Sequence, residues 1–182
     1  MNNYLKVIFL GFLIIICLLI YYHSSNNINE YDLKELETLS DKIIWDKNKK
    51  LKWTDFKFDP NEKTFIIYAD VGLATRYNVF QPILFRSHTT LSPKKSIVAD
   101  TSNLDDLRIA QAKFDLLETY RRKIEKVFDS IKRLESPNFE TSDFDSIVAY
   151  YYRDYKNEWE SYRPFTIESL YRVEDTIRNR LK

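Results

Sequence analysis

The chain contains very little cysteine or glycine, and each shortage excludes a class of protein. A single cysteine, Cys17, permits no intrachain disulfide and no thiolate metal cluster. The only two glycines, Gly11 and Gly72, leave no glycine-rich loop for phosphates and no dinucleotide-binding fingerprint. The usual forms of nucleotide binding are therefore excluded.

The chain also lacks an excess of charge of either sign. Its formal net charge is +1. Lys6 is the only charged side chain before residue 23, so the other 27 of the 28 basic residues balance the 27 acidic ones. Without a basic excess we expect no nucleic-acid partner. We also expect no nucleotide and no other cofactor.

An apolar run near the N-terminus predicts a transmembrane helix. As a helix, residues 4–22 would span about 28 Å, close to the hydrocarbon thickness of a lipid bilayer. Lys6 on the short N-terminal side predicts export of the rest of the chain to the periplasmic or extracellular side. Because the residues from His23 onward make a poor cleavage site, we expect residues 1–22 to be a membrane anchor or uncleaved signal.

Cys17 lies inside this run, and two interpretations of it stay open. A small buried hydrophobe is the simpler one. Lipid attachment is the alternative, although Ile16 is larger than the residue usual before a lipidated cysteine and the apolar run continues beyond it.

After the anchor, the pattern changes from helical to β and back to helical. Residues 23–42 are expected to form a polar linker and a short helix. Gly72 is expected to mark a bulge or a close approach of the backbone. Short apolar runs predict the strands of one small, mostly antiparallel sheet, at residues 43–45, 51–53, 64–75, 79–91 and 96–99.

Three helices are predicted after the sheet, at residues 104–135, 143–162 and 166–181. In the first of them, apolar residues recur every three or four positions from Leu107 to Ile131, so one face should pack on the sheet. Residues 136–138, Ser-Pro-Asn, should end this helix. Strands followed by a three-helix C-terminal half predict an α+β domain over residues 43–182.

The first helix contains two positions, 109 and 113, that lie one turn apart on the same face. Zinc enzymes use this spacing for two histidine ligands, with a glutamate beside the first as general base. Here the three positions are Ile109, Ala110 and Lys113. An aliphatic chain, a methyl group and an ammonium group cannot bind zinc or take a proton from water.

This helix resembles that of a bacterial domain-of-unknown-function family of predicted secreted zinc-dependent proteases. The family motif, H-E-Q-x-H-F-D-[IL], corresponds to residues 109–116, and its matching residues are Gln111, Phe114 and Asp115. The family's Leu-x-Trp-x-Asp-Phe segment matches residues 51–56, and its Pro-x-x-Ser turn matches residues 93–96. Its Tyr-x-x-x-Thr-x-His segment corresponds to residues 162–168, with Glu168 in place of the histidine.

The resemblance implies a zincin-like fold that has lost its metal. Ile109, Ala110, Lys113 and Glu168 are then the degenerate motif positions, and one carboxylate alone does not hold zinc. Lys113 is expected to swing to solvent or to pair with a neighbouring acid, Asp115 or Glu118. Other candidates for the old cleft, or for binding a partner, are Gln111, Asp115, Glu118 and His88.

The preferred hypothesis is a membrane-anchored, exported pseudoenzyme that binds a peptide or protein by strand addition. Its cleft would be roofed by the strand at residues 79–91 and floored by Ile109 and Lys113. Its partners would be the lipid bilayer, through residues 4–22, and an unidentified protein or peptide.

Two alternatives belong to other classes of function. The first is a peptidase-like hydrolase with a non-standard site, in which His88 would lie beside Glu118 or Glu168. The second is a structural subunit of a cell-envelope complex, which would present the tyrosine-rich run at residues 149–155 to a neighbour.

Overall fold

The computed structural model of the protein describes residues 14–16, 30–78, 83–134 and 139–182. The chain divides into two units, residues 1–37 and residues 38–182. Residues 14–16 are helical and exposed, and the predicted short helix is confirmed as α1 (Glu30–Leu39). The rest of the predicted anchor lies outside the described residues. Within the described part, no helix combines the length and the apolar character needed to cross a membrane.

The second unit contains strands followed by helices, which confirms the predicted α+β class. Its described elements, in chain order, are β1 (Ile43–Ile44), a 3-10 helix (Trp53–Asp55), β2 (Lys57–Phe58), β3 (Ile67–Tyr68), β4 (Val71–Asn78), β5 (Leu84–Leu91), β6 (Ile97–Val98), α2 (Leu104–Lys132), α3 (Thr141–Ser161) and α4 (Ile167–Leu181). The three helices predicted for the C-terminal half are therefore confirmed.

The strands form two three-stranded sheets, so the prediction of one sheet is wrong. The first has the order β1-β5-β4 and is antiparallel; the second has the order β2-β6-β3 and pairs β2 with β6 in parallel. A turn that starts at Ser92 separates β5 from β6. The Ser96 hydroxyl stabilises this turn, because it donates to the Ser92 carbonyl at 2.8 Å and accepts from the Asp70 N–H at 3.0 Å.

The strand predicted at residues 51–53 is absent, since Trp53–Asp55 form a 3-10 helix. Side chains bind the backbone groups that a strand would use. The Leu51 N–H donates to the Gln111 side-chain oxygen at 2.8 Å, and the Lys52 N–H donates to the Asp55 carboxylate at 2.8 Å. Local hydrogen bonds of this kind compete with a ladder.

Gly72 marks neither a bulge nor a close approach, contrary to the prediction. It pairs with Thr90 in an unbroken register, and no atom lies within 4 Å of a Cβ built at this position. The long strand predicted at residues 64–75 is instead divided into β3 and β4. The predicted strand at residues 79–91 is observed as β5, and residues 79–82 lie outside the described part.

Helix α2 is the central element, because the sheets and the other two helices of this unit pack around it. Its apolar stripe is confirmed, with every predicted position buried except the half-buried Leu107. Asn103 caps its first turn by accepting from the Asp105 N–H at 3.0 Å. The helix ends at Lys132, and the predicted stop at residues 136–138 lies outside the described part.

Candidate functional site

A cavity of about 700 Å³ lies between residues 64–71 and the helices α2 and α3. On the α2 side it is lined by Ile109, Ala110 and Lys113, the three positions that the resemblance aligns with zinc ligands and a general base. Six aromatic residues also line it, Phe65, Tyr68, Tyr152, Tyr155, Trp159 and Phe165. We call this space the Lys113 cavity.

The ammonium group of Lys113 is turned toward residues 64–71. Its Nζ donates to the Ala69 carbonyl at 2.8 Å and lies 5.0 Å from the centre of the Tyr68 ring. The expected pairing with Asp115 or Glu118 is wrong. Those residues follow Lys113 by two and five positions, which places them on other faces of the helix. Burial lowers the pKa of Lys113, although the carboxylate of Asp70 partly opposes this effect.

The donor set at these positions does not fit a zinc ion, because Ile109 and Ala110 offer no lone pair and Lys113 carries a positive charge. In the residue ranges that the structure describes, no group of three or more His, Cys, Asp or Glu side chains is arranged to hold a metal ion.

Strand β3 is at the edge of its sheet, and its backbone alternates between β6 and the Lys113 cavity. The Ala99 N–H donates to the Ile66 carbonyl at 2.8 Å, so the backbone groups of residue 66 point toward β6. Successive residues of a strand point their backbone groups to opposite sides. The N–H and carbonyl groups of Ile67 and Ala69 therefore point away from β6, toward the cavity.

Two helix side chains bind carbonyl groups of the segment 64–71, one just after β3 and one at the start of β4. Lys113 binds that of Ala69, and the Tyr152 hydroxyl contacts that of Val71 at 3.5 Å. The N–H and carbonyl of Ile67 stay directed at the cavity. The roof of the cavity is thus the segment 64–71, and the described part of the strand predicted as its roof, residues 83–91, does not line it.

Gln111 and Asp115, the matched motif residues, lie on a different side of α2 and hold the segment before the 3-10 helix. The Asp115 carboxylate accepts from the Trp45 indole at 2.7 Å and from the Gln111 amide at 2.7 Å. The Gln111 oxygen accepts from the Leu51 N–H. Burial raises the pKa of Asp115, and these two hydrogen bonds partly oppose the effect. Both residues line a separate cavity of about 450 Å³.

Glu118 is the most buried acid of α2, with 1% of its surface exposed. Its carboxylate accepts from the Thr89 hydroxyl at 2.9 Å, from Arg121 at 2.6 and 2.7 Å, and from Arg122 at 3.0 Å. Burial alone would raise the pKa of Glu118, but these charged donors outweigh it and the pKa is lowered. Arg121 also pairs with Glu125. Both carboxylate oxygens of Glu118 are therefore occupied by structural partners.

The residues of the alternative hydrolase site lie on three different elements, His88 in β5, Glu118 in α2 and Glu168 in α4. His88 and Glu118 both border a third cavity of about 540 Å³, but His88 is next to Thr89 in β5 and therefore lies on the opposite face from it. Thr89 is the residue that binds Glu118. Glu168 is exposed in the first turn of α4 and is not among the residues that line the Lys113 cavity.

Sequence reasoning missed most of the lining of the Lys113 cavity. The tyrosine-rich run at residues 149–155 was the one available signal, and it supplies two lining residues. Its rings divide between core and surface as expected, since Tyr155 is buried and Tyr150 is exposed. Trp159 lies one turn further along α3. Its ring contacts the Phe165 ring in a tilted arrangement, with 4.6 Å between the ring centroids.

Comparisons with protein-family models, with curated proteins and with solved structures find no match to this chain. The geometry of the Lys113 cavity and of the edge above it is therefore the basis for assigning a function.

Proposed function

We propose that residues 43–182 form a zincin-like domain without catalytic zinc, which binds an extended peptide segment of another protein. The observation that carries this proposal is the edge residue Ile67, whose backbone donor and acceptor face a cavity lined by the three degenerate motif positions. In strand addition, a peptide pairs its backbone with such an edge and places alternate side chains in neighbouring pockets.

The aromatic lining gives the peptide its apolar contacts. Six aromatic residues line the cavity, among them the buried Trp159 and the half-buried Phe165 and Tyr152. Removal of apolar surface from water is worth roughly 25 cal/mol per Å². Apolar residues at alternate positions of the peptide therefore supply affinity, and the backbone pairing at Ile67 supplies direction and register.

We further propose that residues 4–22 anchor the chain in a lipid bilayer, with the peptide-binding domain outside the cytoplasm. The support is the length of the apolar run and the position of Lys6. The partner is then a protein of the same compartment.

The test replaces Ile67 with proline in the full chain, purified in detergent micelles. Proline removes the N–H that faces the cavity but none that faces β6, and edge strands tolerate it. The probe is a pool of synthetic hexapeptides rich in valine, isoleucine and phenylalanine, and binding is measured by fluorescence anisotropy. We expect Ile67→Pro to weaken binding at least about tenfold, the cost of about one hydrogen bond.

The matched control is Ile67→Val, which keeps the N–H and should bind the peptides like the unmodified chain. Equal binding to Ile67→Pro and Ile67→Val would contradict strand addition at this edge. Absence of binding by the unmodified chain to every peptide in the pool would contradict the proposal as a whole.

A further inference from the structure

We propose that the Lys113 cavity binds the C-terminal end of its peptide, with the terminal carboxylate on the ammonium group of Lys113 and an aromatic last side chain among the rings. This inference rests on the proposed function, because it specifies the peptide that the β3 edge would bind.

The ammonium group of Lys113 has donors available for a ligand. An ammonium group has three N–H donors, and the Ala69 carbonyl uses one of them. Among the described residues, no carboxylate lies within ion-pairing distance of the Lys113 Nζ. A cation held partly out of water costs free energy unless an anion compensates it. A peptide carboxylate would supply both the charge and the acceptors.

The acidic side chains of the cavity have other partners. Glu160 pairs with Arg163 at 3.2 Å, and Asp70 accepts from the Tyr68 hydroxyl at 3.4 Å. Asp106 lies in the first turn of α2, where acids stabilise the helix N-terminus. Of the three cations that line the cavity, Arg163 pairs with Glu160 and Lys156 is exposed, so Lys113 is the cation that lies at the peptide-binding edge.

The position of Lys113 along the edge fixes the direction of the peptide. β3 runs from Ile67 toward Ala69, and the Ala69 carbonyl accepts a hydrogen bond from the Lys113 ammonium group. A peptide brings its last residue to Lys113 only if it runs parallel to β3. An antiparallel peptide would place its N-terminal ammonium group there, against a like charge. Parallel pairing already occurs in this sheet, between β2 and β6.

Aromatic rings surround the place that the last side chain would take. Lys113 lies against the Tyr68 ring, and Tyr152 and Tyr155 are in contact at a centroid distance of 5.7 Å. The cavity volume of about 700 Å³ lies within the range of roughly 300–1,000 Å³ that is usual for ligand pockets, so an aromatic side chain fits.

The experiment compares two fluorescent peptides, both Val-Thr-Val-Thr-Val-Phe, one with a free carboxylate and one with a C-terminal amide. They are titrated with the full chain in detergent micelles. A hydrogen-bonded charge pair predicts that amidation weakens binding about tenfold or more. In Lys113→Met the acid should bind no better than the amide. The matched control Lys126→Met, an exposed lysine of α2 that does not line the cavity, should keep the preference.

The comparison of acid and amide on the unmodified chain needs no variant and stands even if Lys113→Met does not fold. Equal binding of acid and amide, with both weakened by Ile67→Pro, overturns the carboxylate site and leaves peptide binding intact. A preference for the acid that survives in Lys113→Met also overturns it. If neither peptide binds, the proposed function and this inference both fail.

Discussion

At the scale of single residues, the main feature is a lysine whose ammonium group is partly removed from water. Lys113 has one hydrogen bond, to Ala69, and one ring contact, to Tyr68. These contacts compensate the desolvation only in part, and burial is the largest cause of its lowered pKa. A charge that the folded state disfavours makes stability depend on pH.

The first prediction concerns this pH dependence. The folded state releases the Lys113 proton at a lower pH than the unfolded state, whose pKa is near 10.5. Between the two values the unfolded state binds more protons, so the free energy of unfolding rises with pH. We expect the free energy of unfolding of the unmodified chain to rise relative to that of Lys113→Met between neutral pH and pH 10.5. Urea unfolding in micelles measures both. Parallel stability curves would contradict this prediction, and Lys126→Met, which removes an exposed lysine of the same helix, is the control.

The second prediction concerns Glu118. Removal of one partner from a buried ion pair leaves the other charge uncompensated, so Glu118→Gln should lower the free energy of unfolding by about 3 kcal/mol. Glu125→Gln, on a more exposed acid that also contacts Arg121, should cost less than about 1 kcal/mol. Equal losses in urea unfolding would refute the distinction.

Glu118 also has a pH signature of its own. Its folded-state pKa is lowered, so its contribution to stability is present above the unfolded value of 4.5 and is lost as the pH falls through the folded value. Below pH 4.5 the stability difference between the unmodified chain and Glu118→Gln should therefore shrink. Acid-induced unfolding of both proteins, followed by circular dichroism, measures this difference in stability.

The sequence predicted part of the residue-scale chemistry. Periodicity places Ile109, Ala110 and Lys113 on neighbouring faces of a helix, and all three do line one cavity. Periodicity could not predict the hydrogen-bond partner of the Lys113 ammonium group, because that partner, Ala69, is 44 positions away in the chain. Likewise, Gln111 and Asp115 match the motif, but their partners Leu51 and Trp45 are identified only by tertiary structure.

At the scale of secondary-structure elements, α2 joins the parts of the domain. Its 29 residues carry the ion pairs of Glu118 at the middle and an aromatic cluster toward the C-terminal end. In that cluster Phe128 stacks on Phe85 at 3.9 Å and on Phe144 at 4.8 Å, linking β5, α2 and α3. Ring stacking between three elements makes their packing interdependent.

The third prediction is that Phe128→Ala lowers the free energy of unfolding by about 3–5 kcal/mol, the usual cost of removing a buried ring. Phe128 has no exposed surface. The control is Phe58→Ala in β2. The Phe58 side chain is 59% exposed, so this substitution should lower the free energy of unfolding by less than about 0.5 kcal/mol. Urea unfolding monitored by tryptophan fluorescence compares them. A similar loss in both variants would show that the cluster does not hold the three elements together.

The accuracy of prediction differs between elements for a physical reason. A long amphipathic helix repeats its pattern over many turns, so α2 is evident from sequence. β2, β3 and β6 have two residues each, and a period of two cannot show in two residues. The turn between β5 and β6 is also bound by a distant residue, because the Ser96 hydroxyl accepts from the N–H of Asp70, 26 positions away in the chain.

At the scale of the whole molecule, the apolar N-terminal run is the basis for the expected membrane location of the protein. The apolar run lies mostly outside the described residues, so its prediction depends on the sequence alone. Having a single cysteine in the whole chain makes this prediction easy to test.

The fourth prediction is that a cysteine introduced at Asn157, an exposed position of α3, is labelled in intact cells by a membrane-impermeant maleimide. Export of the domain places this residue on the outside. The counterpart Asn2→Cys, on the N-terminal side of the run, should react only after lysis. The unmodified chain, with Cys17 alone, gives the background. Labelling of Asn2→Cys but not Asn157→Cys in intact cells would reverse the proposed orientation.

The side chains that bind the carbonyls of Ala69 and Val71 also bear on self-association. A bare strand edge is a template on which a second copy can pair and from which fibrils can grow. Lys113 and Tyr152 occupy acceptors that such a copy would need, and this shortens the template to the vicinity of Ile67. A short peptide can use so small an opening, whereas the continuous pairing that drives aggregation cannot propagate through it.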